Sequence, residues 1–184
     1  VKRNPGLRVP GAFDGFELAV RAILGQQVTV KAATTLAGRF ANAFGKVYAT
    51  PIPELTRFSP TPKRLAAASV DDIAKLGIIR TRARSIIALA RAVESGELQL
   101  EPASDPERLI EQLVALPGIG PWTAHYIAMR ARRWPAAFPK EDVAVLKNLG
   151  GISPGEAEAM SQTWRPWRSY AVLHIWENPP VRSR

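Results

Sequence analysis

The stretch Leu116-Pro117-Gly118-Ile119-Gly120-Pro121-Trp122-Thr123 has the residue types and spacing to hold a charged ligand with backbone groups. Two glycines flanking one apolar residue allow a tight hairpin that another molecule can approach closely, with Ile119 plugging the gap behind it. Amides of the turn, and of the helix that follows, then point outward together, an arrangement suited to a phosphate. Carbonyls on the other side of the turn, those of Val114, Leu116 and Ile119, suit a monovalent cation, Na+ or K+. An ordinary corner between two helices also carries Pro-Gly-x-Gly, so the segment needs support from the rest of the chain.

Charge gives some. Against 16 Asp and Glu stand 25 Lys and Arg in 184 residues, a formal +9 that favours a polyanionic partner, nucleic acid first. The densest groups are Arg80, Arg82, Arg84 and Arg91, and Arg130, Arg132 and Arg133. Each arginine taken singly reads as part of a solvated helix face, with some of them contacting phosphates. The chain has no Cys, which excludes disulfides, zinc–thiolate and iron–sulfur sites and cysteine nucleophiles, and fits a cytoplasmic or otherwise intracellular location. No apolar run approaches the roughly 20 residues that span a bilayer, so no membrane partner is expected.

The elements that must position the hairpin are helical. Phe16, Val20, Ile23, Leu24 and Val28 line one face of a first helix, and Val30, Ala33, Ala37, Phe40 and Phe44 that of a second, ending near Gly45. Ser69 before Asp71 and Asp72, Asp105 before Pro106, and Ser153 three residues before Glu156 are helix starts; Gly77 and Gly96 are stops. A helix from about Pro121 to Arg132 follows the hairpin. Period-2 alternation is confined to Lys46-Val47-Tyr48-Ala49-Thr50, so the fold class is all-α, with eight to ten short helices.

Four segments in order carry a family resemblance: Ala22-Ile23-Leu24-Gly25-Gln26-Gln27-Val28; Leu116 to Gly120 with Trp122-Thr123-Ala124; Phe138-Pro139-Lys140-Glu141-Asp142; and Trp164 to Ala171 leading to Leu173-His174-Ile175-Trp176. From about Phe13 to Trp176 the chain resembles the helix-hairpin-helix DNA glycosylases, and most of all their alkylation-repair branch. The resemblance implies two helical subdomains with a cleft between them, the 116–121 hairpin at its rim, and one such domain over residues 1–184. It implies base excision repair as a monomer on damaged double-stranded DNA, with no cofactor required. The reaction implied is hydrolysis of the N-glycosidic bond of alkylated purines of the 3-methyladenine and 7-methylguanine type.

The family's essential carboxylate matches Asp142, where it would stabilise an oxocarbenium-like sugar and orient water. Its neighbour Glu141 is the alternative acid, and N-capping the alternative task for Asp142. Trp122, Tyr126 and Trp176 match the aromatic pocket for a flipped base, which attracts a cationic methylated ring. Trp134, Trp164 and Trp167 read as core, and His125 and His174 as structural. Gly118, Ile119, Gly120 and Thr123 fall on the DNA-binding hairpin, and Gln26 and Gln27 on the segment that fills the gap left by the base. Relatives that also cut the strand carry Lys where this chain has Trp122, which implies hydrolysis alone, although Lys140 and Lys147 lie near the carboxylate in sequence.

Two departures stand out. The gap-filling residue of the resembled branch is apolar, whereas Gln27 is polar, and both glutamines could instead face solvent at a helix end. That branch also carries a further N-terminal domain, so a minimal version, or a piece of a longer or fused protein, is expected. The competing functions are a glycosylase for oxidised or deaminated bases and a non-catalytic helix-hairpin-helix module that binds DNA.

Overall fold

The computed structural model describes residues 4–101 and 105–177. Among them are ten α-helices: α1 (Gly15–Leu24), α2 (Val30–Phe44), α3 (Pro62–Ala66), α4 (Val70–Ala74), α5 (Arg80–Glu94), α6 (Pro106–Val114), α7 (Pro121–Arg130), α8 (Val143–Asn148), α9 (Pro154–Ser161) and α10 (Arg168–Glu177), with a 3-10 turn at Gln162–Trp164. The alternating stretch at 46–50 forms only an isolated bridge, Val47 to Arg57. None of these helices is long and apolar enough to cross a membrane.

Local chemistry sets most boundaries. Asp14, Thr29, Thr61, Ser69, Asp105, Asp142 and Ser153 each accept a backbone N–H in the first turn of the helix they precede, which satisfies a donor that has no partner within the helix. Ser153 and Glu156 form a reciprocal capping box. Three boundaries differ from the sequence pattern: α4 ends at Ala74, capped by Lys75 and not by the left-handed Gly77. The first helix stops at Leu24, because Gln27 takes a left-handed φ of 52° and Thr29 already caps α2, so Val28 lies in the turn between them. The helix after the hairpin ends at Arg130, two residues early, and Arg133 is left-handed at φ 55°.

Two cores result, as expected of two subdomains. The larger is built by α1 to α7, with α5 packed against α1, α3 and α4, and α7 against α1 and α6. The smaller gathers Phe138, Val145, Ala157 and Val172 from α8 to α10 and the segment before them. The chain crosses between them at 134–138, and the start of α10 clamps this crossing. Ser169 Oγ donates to the Trp134 and Ala137 carbonyls at 2.8 and 3.0 Å, and the buried Arg168 donates from Nε to Ala136 at 2.7 Å and from Nη1 to Glu158 at 2.9 Å. Trp176 packs against both cores. Trp134 and Trp164 are partly buried, as expected, but Trp167 is 59% exposed, its ring set T-shaped to that of Tyr170. Two arginines read as solvated are buried, Arg82 on the inner stripe of α5 and Arg132 beyond the end of α7.

Candidate active site at the junction of the lobes

Asp142 is 7% exposed, and three donors converge on its carboxylate. Oδ1 accepts from the Val145 amide at 2.8 Å, which makes the residue an N-cap, and from Trp176 Nε1 at 3.1 Å; Oδ2 accepts from Trp122 Nε1 at 2.7 Å. Capping and the candidate chemistry therefore fall on one side chain. Residues far apart in sequence meet here: Trp122 belongs to the larger lobe, Asp142 to the smaller, and Trp176 to the helix that touches both. The neighbouring Glu141 is placed differently, with a buried Oε2 that has no hydrogen-bond partner among the described residues.

The one-turn spacing of Trp122 and Tyr126 on α7 stacks their rings, with centroids 5.4 Å apart and planes 8° from parallel. The stacked pair faces a cleft of about 440 Å³ between α1, α2 and α7, lined also by Ala22, Val28, Val30 and Ala37. Arg21 and Arg130 stand in its wall. Arg21 is paired with Glu17 at 2.7 Å. Arg130 has no carboxylate partner among the described residues; its guanidinium sits 5.5 Å from the Tyr126 ring centre and donates to the Tyr126 hydroxyl at 3.3 Å. An apolar, aromatic-floored cleft of this size suits a flat heterocycle.

The hairpin lies between α6 and α7. Ile119 is 3% exposed and fills the space behind the turn, as its position implied. Thr123 is also buried, and its Oγ1 accepts from Gln26 Nε2 at 3.1 Å, so it holds the turn's shape from within. The two glycines have different tasks. Gly118 has φ 76°, and a Cβ there would lie 2.3 Å from Ser85 Oγ; a Cβ on Gly120 would meet nothing within 4 Å. Close approach from outside is thus open at Gly120. Gln26 turns inward to the hairpin, whereas Gln27, next in sequence, is exposed.

His125 lies on α7 beside this machinery. Its Nδ1 accepts from the Phe138 amide at 3.4 Å, so the neutral ring carries its proton on Nε2. Burial, reinforced by the positive charges of Arg168 and Lys140 and opposed by Glu158, holds it neutral down to about pH 4. The sequence pattern did not single out Arg82, which is buried and donates from Nη2 to the Gln26 backbone carbonyl. The signal that finds it is its place on the stripe Arg82, Ile86, Leu89, Val93, where an arginine stands at an apolar position.

Two helical lobes, a glycine hairpin between two helices of the larger one and a carboxylate buried where the lobes meet sit in the fold of a class of DNA repair protein. The chain belongs to the HhH-GPD superfamily of base excision DNA repair proteins, which it matches over residues 20–169. It is 42% identical over 173 residues to DNA-3-methyladenine glycosylase 2 of Escherichia coli (strain K12), a match covering 94% of this chain and 61% of that one. It is also 42% identical over 182 residues to a probable bifunctional transcriptional activator/DNA repair enzyme AlkA of Mycobacterium tuberculosis (strain CDC 1551), covering 96% of this chain and 36% of the other. The chain thus spans about three fifths of the first relative and about a third of the second. Among solved structures, a 3-methyladenine DNA glycosylase of Schizosaccharomyces pombe in complex with abasic DNA shares the fold, with TM-score 0.74 and 21% identity over 96% of this chain and 85% of that one.

Proposed function

We propose that the chain is a monofunctional DNA glycosylase domain that hydrolyses the N-glycosidic bond of alkylated purines in damaged duplex DNA. The observation that carries this reading is the buried Asp142 carboxylate, fixed by indole N–H groups beside an aromatic cleft. The hairpin, through the open backbone at Gly120, grips a phosphate; Gln27 enters the stack as the base leaves it; and the flipped base lies against Trp122 and Tyr126. A methylated purine is cationic, so the aromatic faces attract it and its glycosidic bond is already weak. As that bond breaks, its electron pair neutralises the base and the positive charge passes to the sugar, where Asp142 stabilises it. Water adds to C1′ and loses a proton, leaving an abasic site. With Trp122 where strand-cutting relatives carry Lys, no amine is offered at that place for a Schiff base, and the strand stays intact.

The carbonyls of Val114 and Ile119 accept no hydrogen bond among the described residues, which suits them to a Na+ or K+ ion at the hairpin, while the Leu116 carbonyl already accepts from the Ile119 amide at 3.3 Å. One observation favours a second reading. Arg130 in the cleft wall, which has no carboxylate partner among the described residues, opposes a cationic base and offers donors to a neutral one bearing a carbonyl, as in a deaminated or oxidised purine.

One assay separates these readings. Duplexes carrying 7-methylguanine, 3-methyladenine or hypoxanthine are incubated with the wild type and with Asp142→Asn, and released base is measured apart from strand breaks. Asparagine caps a helix as well as aspartate does, so the variant keeps the cap through one oxygen while it removes the charge and the second acceptor, the one that Trp122 Nε1 uses. Release from the methylated substrates should fall by about two to three orders of magnitude in the variant, with strands intact. Release of hypoxanthine alone would favour the second reading. DNA binding with no release by either protein would leave a binding module.

A further inference from the structure

We propose that Gln26 and Arg82 are positioning residues that lock the turn carrying Gln27 to the hairpin, so that the group entering the base stack and the amides gripping the phosphate move as one body. This rests on the glycosylase reading above. Gln26 spends both protons of its side-chain amide on the hairpin side, donating to the Gly118 carbonyl at 3.0 Å and to Thr123 Oγ1 at 3.1 Å. Its own backbone carbonyl accepts from Arg82 Nη2. Arg82 is 9% exposed and has no carboxylate partner among the described residues. Burying a guanidinium without a counter-charge is costly, and an aliphatic residue at that place on α5 would serve packing alone better.

The same helix reaches the hairpin. Ser85, three residues after Arg82, is buried and fills the space under Gly118 that a Cβ would need. So α5 meets the turn through Arg82 and the hairpin through Ser85, and Gln26 closes the triangle. The result is visible in the next residue, since Gln27 holds a left-handed φ of 52° while exposed. A non-glycine residue keeps such a backbone only where its surroundings impose it. A filler on a loose turn would have to be ordered at the moment of insertion, whereas this one is already fixed relative to the phosphate anchor.

The variants are Gln26→Ala, Arg82→Met and the conservative Arg82→Lys. Single-turnover base release is measured for a lesion paired in duplex and for the same lesion opposite an abasic analogue, where no partner base resists flipping. Amide hydrogen exchange over 25–28 and 117–120 is followed in the free protein. Gln26→Ala and Arg82→Met should slow release from the paired substrate roughly tenfold or more, and from the unpaired one within about twofold, with Arg82→Lys recovering part of the difference. Exchange should quicken in both segments in Gln26→Ala. Equal losses on the two substrates, no loss on either, or exchange that quickens at 25–28 alone would overturn the proposal. Should Arg82→Met fail to fold, Gln26→Ala carries both measurements. If the wild type releases no base from either substrate, the glycosylase reading falls, and the exchange measurement still decides whether the two loops are coupled.

Discussion

Asp142 does two jobs with one carboxylate. Its bond to the Val145 amide caps the start of α8, and its bonds to Trp122 and Trp176 fix the plane and direction of the charge. Hydrogen bonds to a charged group are worth about 1.5–3 kcal/mol, enough to restrain rotation of the carboxyl. Trp122→Phe and Trp176→Phe keep aromatic area and lose the donor, so each should lower kcat roughly tenfold while KM moves little, as single-turnover and steady-state rates together would reveal. A larger loss in KM would mean that the indoles matter as walls of the cleft. At this scale the family resemblance identified Asp142 and the three aromatic residues, and the structure brings Asp142, Trp122 and Trp176 into contact and stacks Tyr126 on Trp122. That two of the aromatics donate to the acid was not legible, since positions 122, 142 and 176 have no local pattern linking them. Trp167 misled for a related reason: its type suits a core, and only the packing of α10 decides that it faces outward.

Between Ser85 and Gly118 lies the tightest fit in the hairpin, and it separates the two glycines experimentally. Gly118→Ala must place a methyl group against Ser85 Oγ on a backbone that L-residues disfavour, so it should destabilise the fold by roughly 1–3 kcal/mol. Thermal unfolding would show the loss, and pairing the change with Ser85→Gly should restore part of it. Gly120→Val has open space around it and should melt close to the wild type, yet weaken binding to any duplex, damaged or not. Elements of this size were the most readable part of the sequence. The starts at Ser69, Asp105 and Ser153 and the stop at Gly96 act within one turn and fall as expected, whereas α4 ends at Ala74 with Lys75 as its C-cap, short of the left-handed Gly77. The end of α1 also differs, because glutamine carries no local preference for φ above zero. What sets Gln27 there is contact made 92 residues away, through Gln26 to Gly118.

The whole chain is a positively charged pair of lobes, and two measurements address it as a whole. Affinity for duplex DNA should fall steeply with salt; with roughly five phosphates contacted, log affinity should change by about −4.5 per log unit of salt, and a flat response would exclude a phosphate grip. The second is acid stability. His125 is held neutral in the folded protein down to about pH 4, against 6.5 as its ordinary value. Above 6.5 neither state is protonated there; between the two values only the unfolded chain takes up the proton, so stability drops as pH falls through this window, by on the order of 3 kcal/mol in all. His125→Asn, which can still accept from the Phe138 amide, should flatten that part of the melting curve against pH. Both halves of the molecule, finally, contribute to the grip on one carboxylate: α7 sends an indole to it from one side, and α10 sends another from the helix that spans both cores. In the proposed reaction Asp142 is therefore a clasp as well as a reagent, and competence requires both halves of the assembled pair. On that proposal, a chain with only its larger half folded would own the hairpin without the acid, and would sit on DNA without the means to cut a base loose.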